Sequence, residues 1–178
     1  MIYPTTTRTA LIHILFVAML LVLPLAEGKS NEGVGRWAVL SDEVNGERAC
    51  WVAAEPAASE NPDNVDRLFP MFMVAFYPER NIQNEMTFNA GFSLAPDQRI
   101  ELVAGARTYT LSPSGAWALV GLSPNRIDID KLTADSTFTV KLRSLAGSVV
   151  VDRFDTTGLR QALIEAARQC EVSLSLLP

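Results

Sequence analysis

The sequence predicts a mainly β protein, an antiparallel β-sandwich of about eight strands with a short helix and a C-terminal helix packed on it. Residues 86–94 and 138–142 alternate apolar and polar side chains, which is typical of half-buried strands. Short apolar segments separated by glycine-, proline- and asparagine-containing turns recur along the chain, as expected of an all-β domain. Only the segment that ends at Cys170 has apolar residues at the three- and four-residue spacing of an amphipathic helix.

The first half of the domain is predicted to contain four strands. Residues 36–41 and 50–54 are apolar and flank a turn composition at residues 42–46, so they are predicted to form a hairpin. Residues 69–77 are apolar nearly throughout and have prolines near both ends, which fits a strand buried on both faces. The alternating segment 86–94 follows as the fourth strand.

The second half is predicted to contain two further hairpins. Residues 99–103 and 107–111 flank a glycine turn and should pair, and a short strand at 115–119 follows a Ser-Pro-Ser turn. The alternating strand 138–142 should pair with residues 148–154 across an Ala-Gly turn.

Two helices complete the predicted architecture. Residues 124–134 begin near a proline and have apolar spacings that favour a short helix. Thr157 is a candidate N-cap for the C-terminal helix. One face of that helix is apolar and is expected to pack on the sheet; it comprises Leu159, Ala162, Leu163, Ala166 and Cys170.

The N-terminal segment has the layout of a secretory signal peptide. Arg8 precedes an apolar run over residues 10–25, Pro24 interrupts it, and small residues that suit cleavage follow at Ala26 and Gly28. We therefore expect residues 1–28 to be a signal peptide and residues 29–178 a single domain that is periplasmic or secreted through the general secretory route. The alternative is an uncleaved membrane anchor. After cleavage no stable membrane span is expected.

The chain has two cysteines, Cys50 in a predicted core strand and Cys170 at the end of the last helix. In an oxidising compartment two cysteines indicate one disulfide rather than a thiol site. We predict that this disulfide joins the strand to the helix.

Composition excludes several classes of function. The formal net charge is −5 and the fifteen Lys and Arg residues are scattered, which argues against a nucleic-acid partner. The only histidine, His13, lies in the predicted signal peptide, so a domain without it has no Ser-His-Asp or Cys-His nucleophile and no ordinary zinc site. The chain has no phosphate-binding glycine loop and no nucleophile elbow. We expect no cofactor, no metal and no catalytic residue.

Residues 55–67 are polar, acidic and proline-containing, and they are predicted to form a long solvated loop between two strands. Long loops on a rigid β scaffold often contain binding sites. We therefore take this loop as a candidate site for a protein partner, with Glu55, Glu60, Asp63 and Asp66 as its acidic side chains. Glu60, Asp63 and Asp66 also suggest a calcium site, but their spacing lacks the alternation of a calcium loop, and a merely solvated loop is the simpler interpretation.

A second acidic cluster, Asp128, Asp130 and Asp135, has the residue types of a glycosidase carboxylate pair. The simpler interpretation is the solvent-facing side of an element that buries its isoleucines. Asn84 and Glu85 precede the alternating strand and are either a recognition pair or a loop-to-strand junction.

Three tryptophans, Trp37, Trp51 and Trp117, lie in predicted strands. They could line a ligand pocket, but tryptophans in strand patterns more often anchor a core.

The chain carries the following landmarks in order: Trp37, residues 49–56, residues 70–78, residues 84–88, Gly91, Phe92, residues 109–111, Ala116, Trp117, Gly147, Asp152, residues 157–159 and Cys170. Their order resembles that of the invasion-associated locus B family of bacterial envelope proteins. The resemblance spans residues 37–170 and depends on order and spacing rather than on a catalytic motif. It implies an exported protein to which no enzymatic activity is attached, from a family named for a role in host-cell entry. Some members have a further cysteine pair that is absent here.

The sequence thus predicts a non-catalytic, exported envelope protein that acts by binding a protein partner. The alternative is a carboxylate-based hydrolase or a small-ligand carrier, which would need a deep pocket that brings together Glu85, Asp128, Asp130 or Asp152.

Overall fold

The computed structural model describes residues 32–120 and 129–173. Within these ranges the chain forms eleven β-strands, two α-helices and one 3-10 turn at Pro78–Arg80. The strands are β1 (Glu32–Val34), β2 (Trp37–Val44), β3 (Glu47–Ala54), β4 (Ala58–Glu60), β5 (Met71–Tyr77), β6 (Ile82–Asn89), β7 (Ile100–Ala104), β8 (Arg107–Ser114), β9 (Trp117–Val120), β10 (Thr137–Arg143) and β11 (Val149–Asp155), and the helices are α1 (Ile129–Leu132) and α2 (Leu159–Gln169).

The strands form one continuous antiparallel sheet in the order β1-β2-β3-β5-β6-β9-β8-β7-β10-β11-β4. The sheet folds over, so that the half that contains β5 and β6 packs face to face against the half that contains β10 and β11. The predicted fold class is therefore confirmed: the protein is mainly antiparallel β, with a short helix, a C-terminal helix and one disulfide.

Aromatic side chains fill the space between the two halves. The ring of Phe72 on β5 lies 4.8 Å from that of Phe138 on β10 and 5.7 Å from that of Phe154 on β11. Phe138 and Phe154 stack at 5.0 Å, and Phe88 on β6 meets Phe154 edge to face at 6.2 Å. All four are essentially fully buried. Burial of each phenyl side chain stabilises the fold by about 1.5–3 kcal/mol, so this cluster is the main contact between the halves.

Helix α2 packs against β1, β2 and β3 with the apolar face that the sequence predicts. The Cys50–Cys170 disulfide is confirmed, with both sulfurs in the core and a Cα–Cα distance of 5.8 Å. The indole N–H of Trp37 also donates a hydrogen bond to the carbonyl oxygen of Asp155 at 2.9 Å. These two contacts join the start of the domain to its end.

Thr157 does not cap α2, contrary to the prediction. The N-cap is Gly158, which has φ = 84° and no side-chain hydrogen bond. A Cβ atom at Gly158 would lie 2.7 Å from the carbonyl oxygen of Val34, so the close approach of β1 selects glycine here. The Thr157 N–H instead binds the Asp155 carboxylate at 2.7 Å, and hydrogen bonding to Thr157 lowers the pKa of Asp155.

The predicted hairpins β2–β3, β7–β8 and β10–β11 are confirmed, whereas several predicted strand limits are wrong. The alternating segment 86–94 is not all strand, because β6 ends at Asn89, and Gly91, with φ = 78°, turns the chain. The Ser-Pro-Ser segment belongs to β8 rather than to a turn, and Gly115-Ala116 forms the turn before β9. Strand β5 begins at Met71, so residues 69 and 70 are not part of it.

Helix α1, Ile129–Leu132, lies within the helix that the sequence predicts at residues 124–134. The rest of that prediction up to residue 128, and the predicted signal peptide, lie outside the described residues. In residues 32–120 and 129–173 no helix is long and apolar enough to cross a membrane.

Candidate binding surface

The segment at residues 55–67 is not wholly a loop, because strand β4 forms within it. Residues 58–60 pair with β11 at the end of the sheet, and the N–H of Ala57 donates a hydrogen bond to the carbonyl oxygen of Arg153 at 2.7 Å. Three residues separate β3 from β4, so the chain passes directly from one half of the folded sheet to the other. All three β4 side chains are exposed, which explains why no hydrophobic pattern marks this strand in the sequence.

Arg67, at the end of this segment, forms a buried ion pair with Asp152 of β11. The two guanidinium NH₂ groups donate to the two carboxylate oxygens at 2.7 and 2.6 Å. The Nε–H donates to the carbonyl oxygen of Ala90 at 2.8 Å, and the guanidinium carbon lies 5.7 Å from the Phe92 ring centre. The side chains are 7% and 0% exposed, respectively. Arg67 therefore fixes the end of this loop to both halves of the sheet.

A pair this deeply buried is costly to break. Removal of one partner leaves an uncompensated charge in the interior, which destabilises a protein by about 3–5 kcal/mol. This pair was not predicted, although the sequence contains a signal for it. Asp152 is in phase with the buried side chains of Val150 and Phe154, so the period of β11 puts a charge on the core face, where it needs a partner.

The two residues after Arg67 are apolar and exposed. Leu68 is 75% exposed and Phe69 is 70% exposed. Phe69 has φ = 51°, a conformation that is unfavourable for a bulky side chain. The N–H of Leu68 donates to the carbonyl oxygen of Gly91 at 2.9 Å, and the amide of Asn89 donates to the carbonyl oxygen of Phe69 at 3.1 Å. The backbone is therefore held in place while both side chains point away from the core.

Gly91 permits this arrangement. A Cβ atom at Gly91 would lie 2.9 Å from the backbone nitrogen of Leu68, so no other residue allows the two segments to approach as closely.

Further apolar side chains adjoin Leu68 and Phe69. In the sheet Asn89 is paired with Met71 of β5 and with Trp117 of β9, and side chains of paired residues lie on the same face. Trp117 is 38% exposed and Met71 is half-buried. The Asn89 amide also binds the backbone of Phe69, so Leu68, Phe69, Met71 and Trp117 lie around Asn89. We call Leu68, Phe69, Met71 and Trp117 the apolar patch.

Acidic residues line one cavity next to the apolar patch and a second cavity near Arg67. Glu55 and Met71 line one shallow cavity of about 450 Å³, together with Arg36. Asp63 lines a second one of about 580 Å³ with Val65, Phe92 and Leu145, which we call the Asp63 groove. Phe92 connects this groove to Arg67.

The four acidic side chains predicted as a partner site, Glu55, Glu60, Asp63 and Asp66, are all exposed. Within the described part of the chain, no three or more His, Cys, Asp or Glu residues are close enough to hold a metal ion. The acidic residues are thus available to a charged partner.

The second acidic cluster is only partly described, since Asp128 lies outside the described residues. Asp130 forms an ion pair with Arg160 of α2 at 2.5 Å, and Asp135 lies near the turn between β7 and β8. Asp152 is paired with Arg67. Of the four acids that the hydrolase alternative would need, Asp130 and Asp152 are therefore both paired with arginine.

Asn84 and Glu85 lie inside β6 rather than at a loop-to-strand junction. Between the paired positions Ala75–Glu85 and Tyr77–Ile82, β6 has one residue more than β5, and Asn84 at φ = 60° lies in this bulge. Burial, and next the nearby Glu85 carboxylate, raise the pKa of Tyr77.

The three tryptophans differ in burial. Trp37 is fully buried and anchors the core, whereas Trp51 is half-buried and Trp117 contributes to the apolar patch. The core interpretation is therefore correct for Trp37 and wrong for Trp117.

Comparison with known proteins returned no match: no family model fits the chain, and no curated protein or solved structure is significantly similar to it.

Proposed function

We propose that this protein is an exported, non-catalytic envelope or periplasmic protein of the invasion-associated locus B type, and that it acts by binding a protein partner through the apolar patch. The observation that carries the proposal is the exposure of Leu68 and Phe69, on a backbone held by two hydrogen bonds, next to the buried Arg67–Asp152 pair. Aromatic side chains are enriched at the core of protein interfaces, and a preorganised backbone limits the conformational entropy that is lost on binding.

The surroundings of the patch indicate the chemistry of the partner. Glu55 shares a cavity with Met71 of the patch, and Glu60, Asp63 and Asp66 are exposed on the same segment, which leads into Leu68 and Phe69; we call these four acidic residues the acidic rim. We therefore propose a partner segment with an apolar side chain flanked by Lys or Arg. The apolar side chain would contact Leu68 and Phe69, and the basic residues would meet the acidic rim, which favours association through complementary charge.

The test is a double variant, Leu68→Ser with Phe69→Asn. Asparagine tolerates positive φ, so the variant removes the apolar surface without new backbone strain. The matched control is Ile164→Ser, which removes an exposed apolar side chain from α2. Each protein is expressed in its native envelope and crosslinked, and the partners are recovered and quantified.

The double variant should melt like the parent and lose the crosslinked partner, while Ile164→Ser retains it. Equal recovery by all three proteins would contradict the patch as the site. Turnover of a panel of glycosides or esters by the purified protein would contradict the non-catalytic proposal.

Export is supported by the disulfide, since disulfides persist in oxidising compartments. The intact mass of protein recovered from the envelope should lack residues 1–28 and include one disulfide. A mass that retains those residues would mean that the segment is not removed.

A further inference from the structure

One half of the folded sheet has an apolar surface on its outward side. The paired positions of five adjacent strands form a row across this surface, because side chains of paired residues lie on the same face. The row is Ala38 of β2, Ala53 of β3, Met73 of β5, Thr87 of β6 and Leu119 of β9. We call the side of the sheet that contains this row the outer face. Met71 and Trp117 of the apolar patch lie on the same side, two positions along their strands from Met73 and Leu119.

The outward side of the other half of the sheet is polar. There the register places Lys141 beside Glu101 and Arg153 beside Thr139, as expected of a sheet surface that faces water. The row across the outer face contains no charged residue. A contiguous apolar surface of this kind indicates an interaction site.

Helix α2 does not cover the outer face. Cys170 of α2 is bonded to Cys50, and Cys50 lies three positions from Ala53 on β3, so its side chain is on the opposite side of the sheet. On the outer face Ala53 is half-buried and Leu119 is 41% exposed. The apolar row is therefore open to a partner.

The outer face is recessed on one side of β5 and has large exposed side chains on the other. On the β2–β3 side, the small side chains of Ala38 and Ala53 line the cavity of about 450 Å³ that also contains Glu55. On the β9 side, Trp117 is 38% exposed, as is a similar fraction of Leu119. A second copy turned by 180° about an axis along β5 places the large side chains of each copy over the cavity of the other. This is the self-complementarity of an isologous dimer.

We propose that the outer face is the interface of a homodimer whose two-fold axis runs along β5. Met73 of one copy then faces Met73 of the other, and the Trp117 ring of each copy enters the cavity of the other copy. Arg36 in the cavity supplies a cation for the indole ring, and the Glu55 carboxylate accepts the indole N–H. Neither Arg36 nor Glu55 forms an ion pair within the described part of the chain, so both are available to a second copy.

The size of the outer face is sufficient for a reversible dimer. Five strands at a spacing of about 4.8 Å span about 24 Å, and a strand as long as β5 also spans about 24 Å. The face therefore covers about 600 Å² on each copy, and a dimer buries about 1,200 Å², the lower limit of the usual stable interfaces. We expect an equilibrium between monomer and dimer rather than an obligate dimer.

The dimer also covers Met71 and Trp117 of the apolar patch, so it competes with the protein partner; this consequence alone rests on the proposed function. Dimerisation itself is measured on the purified protein without the partner. Failure of the dimer therefore leaves the proposed function unaffected, and loss of the partner leaves the dimer unaffected.

Sedimentation equilibrium of the purified protein between about 1 μM and 1 mM measures the association. Leu119→Lys puts a charge on the outer face, and Ala53→Arg fills the cavity. The matched control is Ile164→Lys, which changes an apolar side chain of similar exposure, 45% against 41%, on α2. Melting temperatures confirm that each variant is folded.

Met73→Cys tests the position of the axis, because a residue on a two-fold axis meets its own counterpart. The two native cysteines form the disulfide, so the introduced thiol is the only free one. A short bismaleimide should link two copies of Met73→Cys and should not link two copies of Ile164→Cys.

We expect concentration-dependent dimers of the parent and of Ile164→Lys, and dissociation constants at least tenfold higher for Leu119→Lys and Ala53→Arg. A parent protein that stays monomeric over the whole range would overturn the proposal. If that monomer binds phosphatidylcholine vesicles and Leu119→Lys does not, the outer face contacts a membrane instead. Equal weakening by Ile164→Lys, or a dimer in which copies of Met73→Cys are not linked, would also overturn the proposed interface.

Discussion

The Arg67–Asp152 pair connects the interior to the exposed segment that follows Arg67. Arg67 satisfies the carboxylate of Asp152 with two hydrogen bonds and fixes the backbone that presents Leu68 and Phe69. Replacement of a buried ion pair by apolar residues is often neutral, so stability alone does not require this pair. Its second role, positioning of the exposed segment, is the one that an apolar pair would not reproduce.

Arg67→Met should destabilise the protein by about 3–5 kcal/mol, because it leaves the Asp152 charge buried and unpaired. Arg67→Met with Asp152→Leu should recover most of that loss, since no buried charge remains. Urea unfolding measures both. The control is Arg168→Met, which breaks the exposed Arg168–Glu165 pair and should cost less than about 1 kcal/mol.

The Arg67→Met, Asp152→Leu double variant also separates the stabilising role of the pair from its positioning role. If it regains stability and still binds the partner as the parent does, the pair has no positioning role. If Arg67→Met alone melts like the parent, Asp152 is not an uncompensated buried charge in that variant.

Among the elements, those defined by local patterns were predictable and those defined by distant pairing were not. Phe138, Val140 and Leu142 alternate with polar residues and a glycine turn follows, so the β10–β11 hairpin could be predicted from sequence. Strand β4 could not, because its three exposed residues have no period and its partner lies about ninety positions further along the chain. The apolar patch likewise depends on the neighbours of Asn89 in the sheet.

The bulge in β6 leads to a prediction about Asn84. Asn84 has φ = 60°, a conformation that asparagine tolerates better than most residues but less well than glycine, and its Oδ1 is buried without a hydrogen-bond partner among the described residues. Asn84→Gly should therefore leave stability unchanged or raise it slightly, whereas Asn84→Val should cost about 1–3 kcal/mol. Thermal unfolding of the two variants provides the measurement.

The same pair of variants tests the recognition role. A loss of partner binding by Asn84→Gly at unchanged stability would mean that the side chain takes part in recognition. Equal destabilisation by glycine and valine would contradict the importance of the backbone conformation at this position.

At the scale of the whole molecule, the disulfide links residues 120 positions apart and fastens α2 to β3. The chain-entropy model gives on the order of 4–5 kcal/mol for a loop of this length. The double variant Cys50→Ser, Cys170→Ser should therefore melt roughly 10–15 °C below the parent. Calorimetry of both proteins, with and without reductant, measures the difference.

Reductant should lower the melting temperature of the parent and leave that of the double variant unchanged. A parent protein that is insensitive to full reduction would contradict this account of the disulfide.

The three-residue connection between β3 and β4 also constrains the order of events during synthesis. Strand β4 emerges from the ribosome early, but its partner β11 follows about ninety residues later, which takes several seconds or more at about 5–20 residues per second. The Phe72 side chain likewise cannot make its core contacts until Phe138 and Phe154 have been synthesised. Because the contacts between the halves are so non-local, folding of the nascent chain is slow and cannot be completed until its last third has appeared. Until then β4 and Phe72 have no partner in the other half of the sheet.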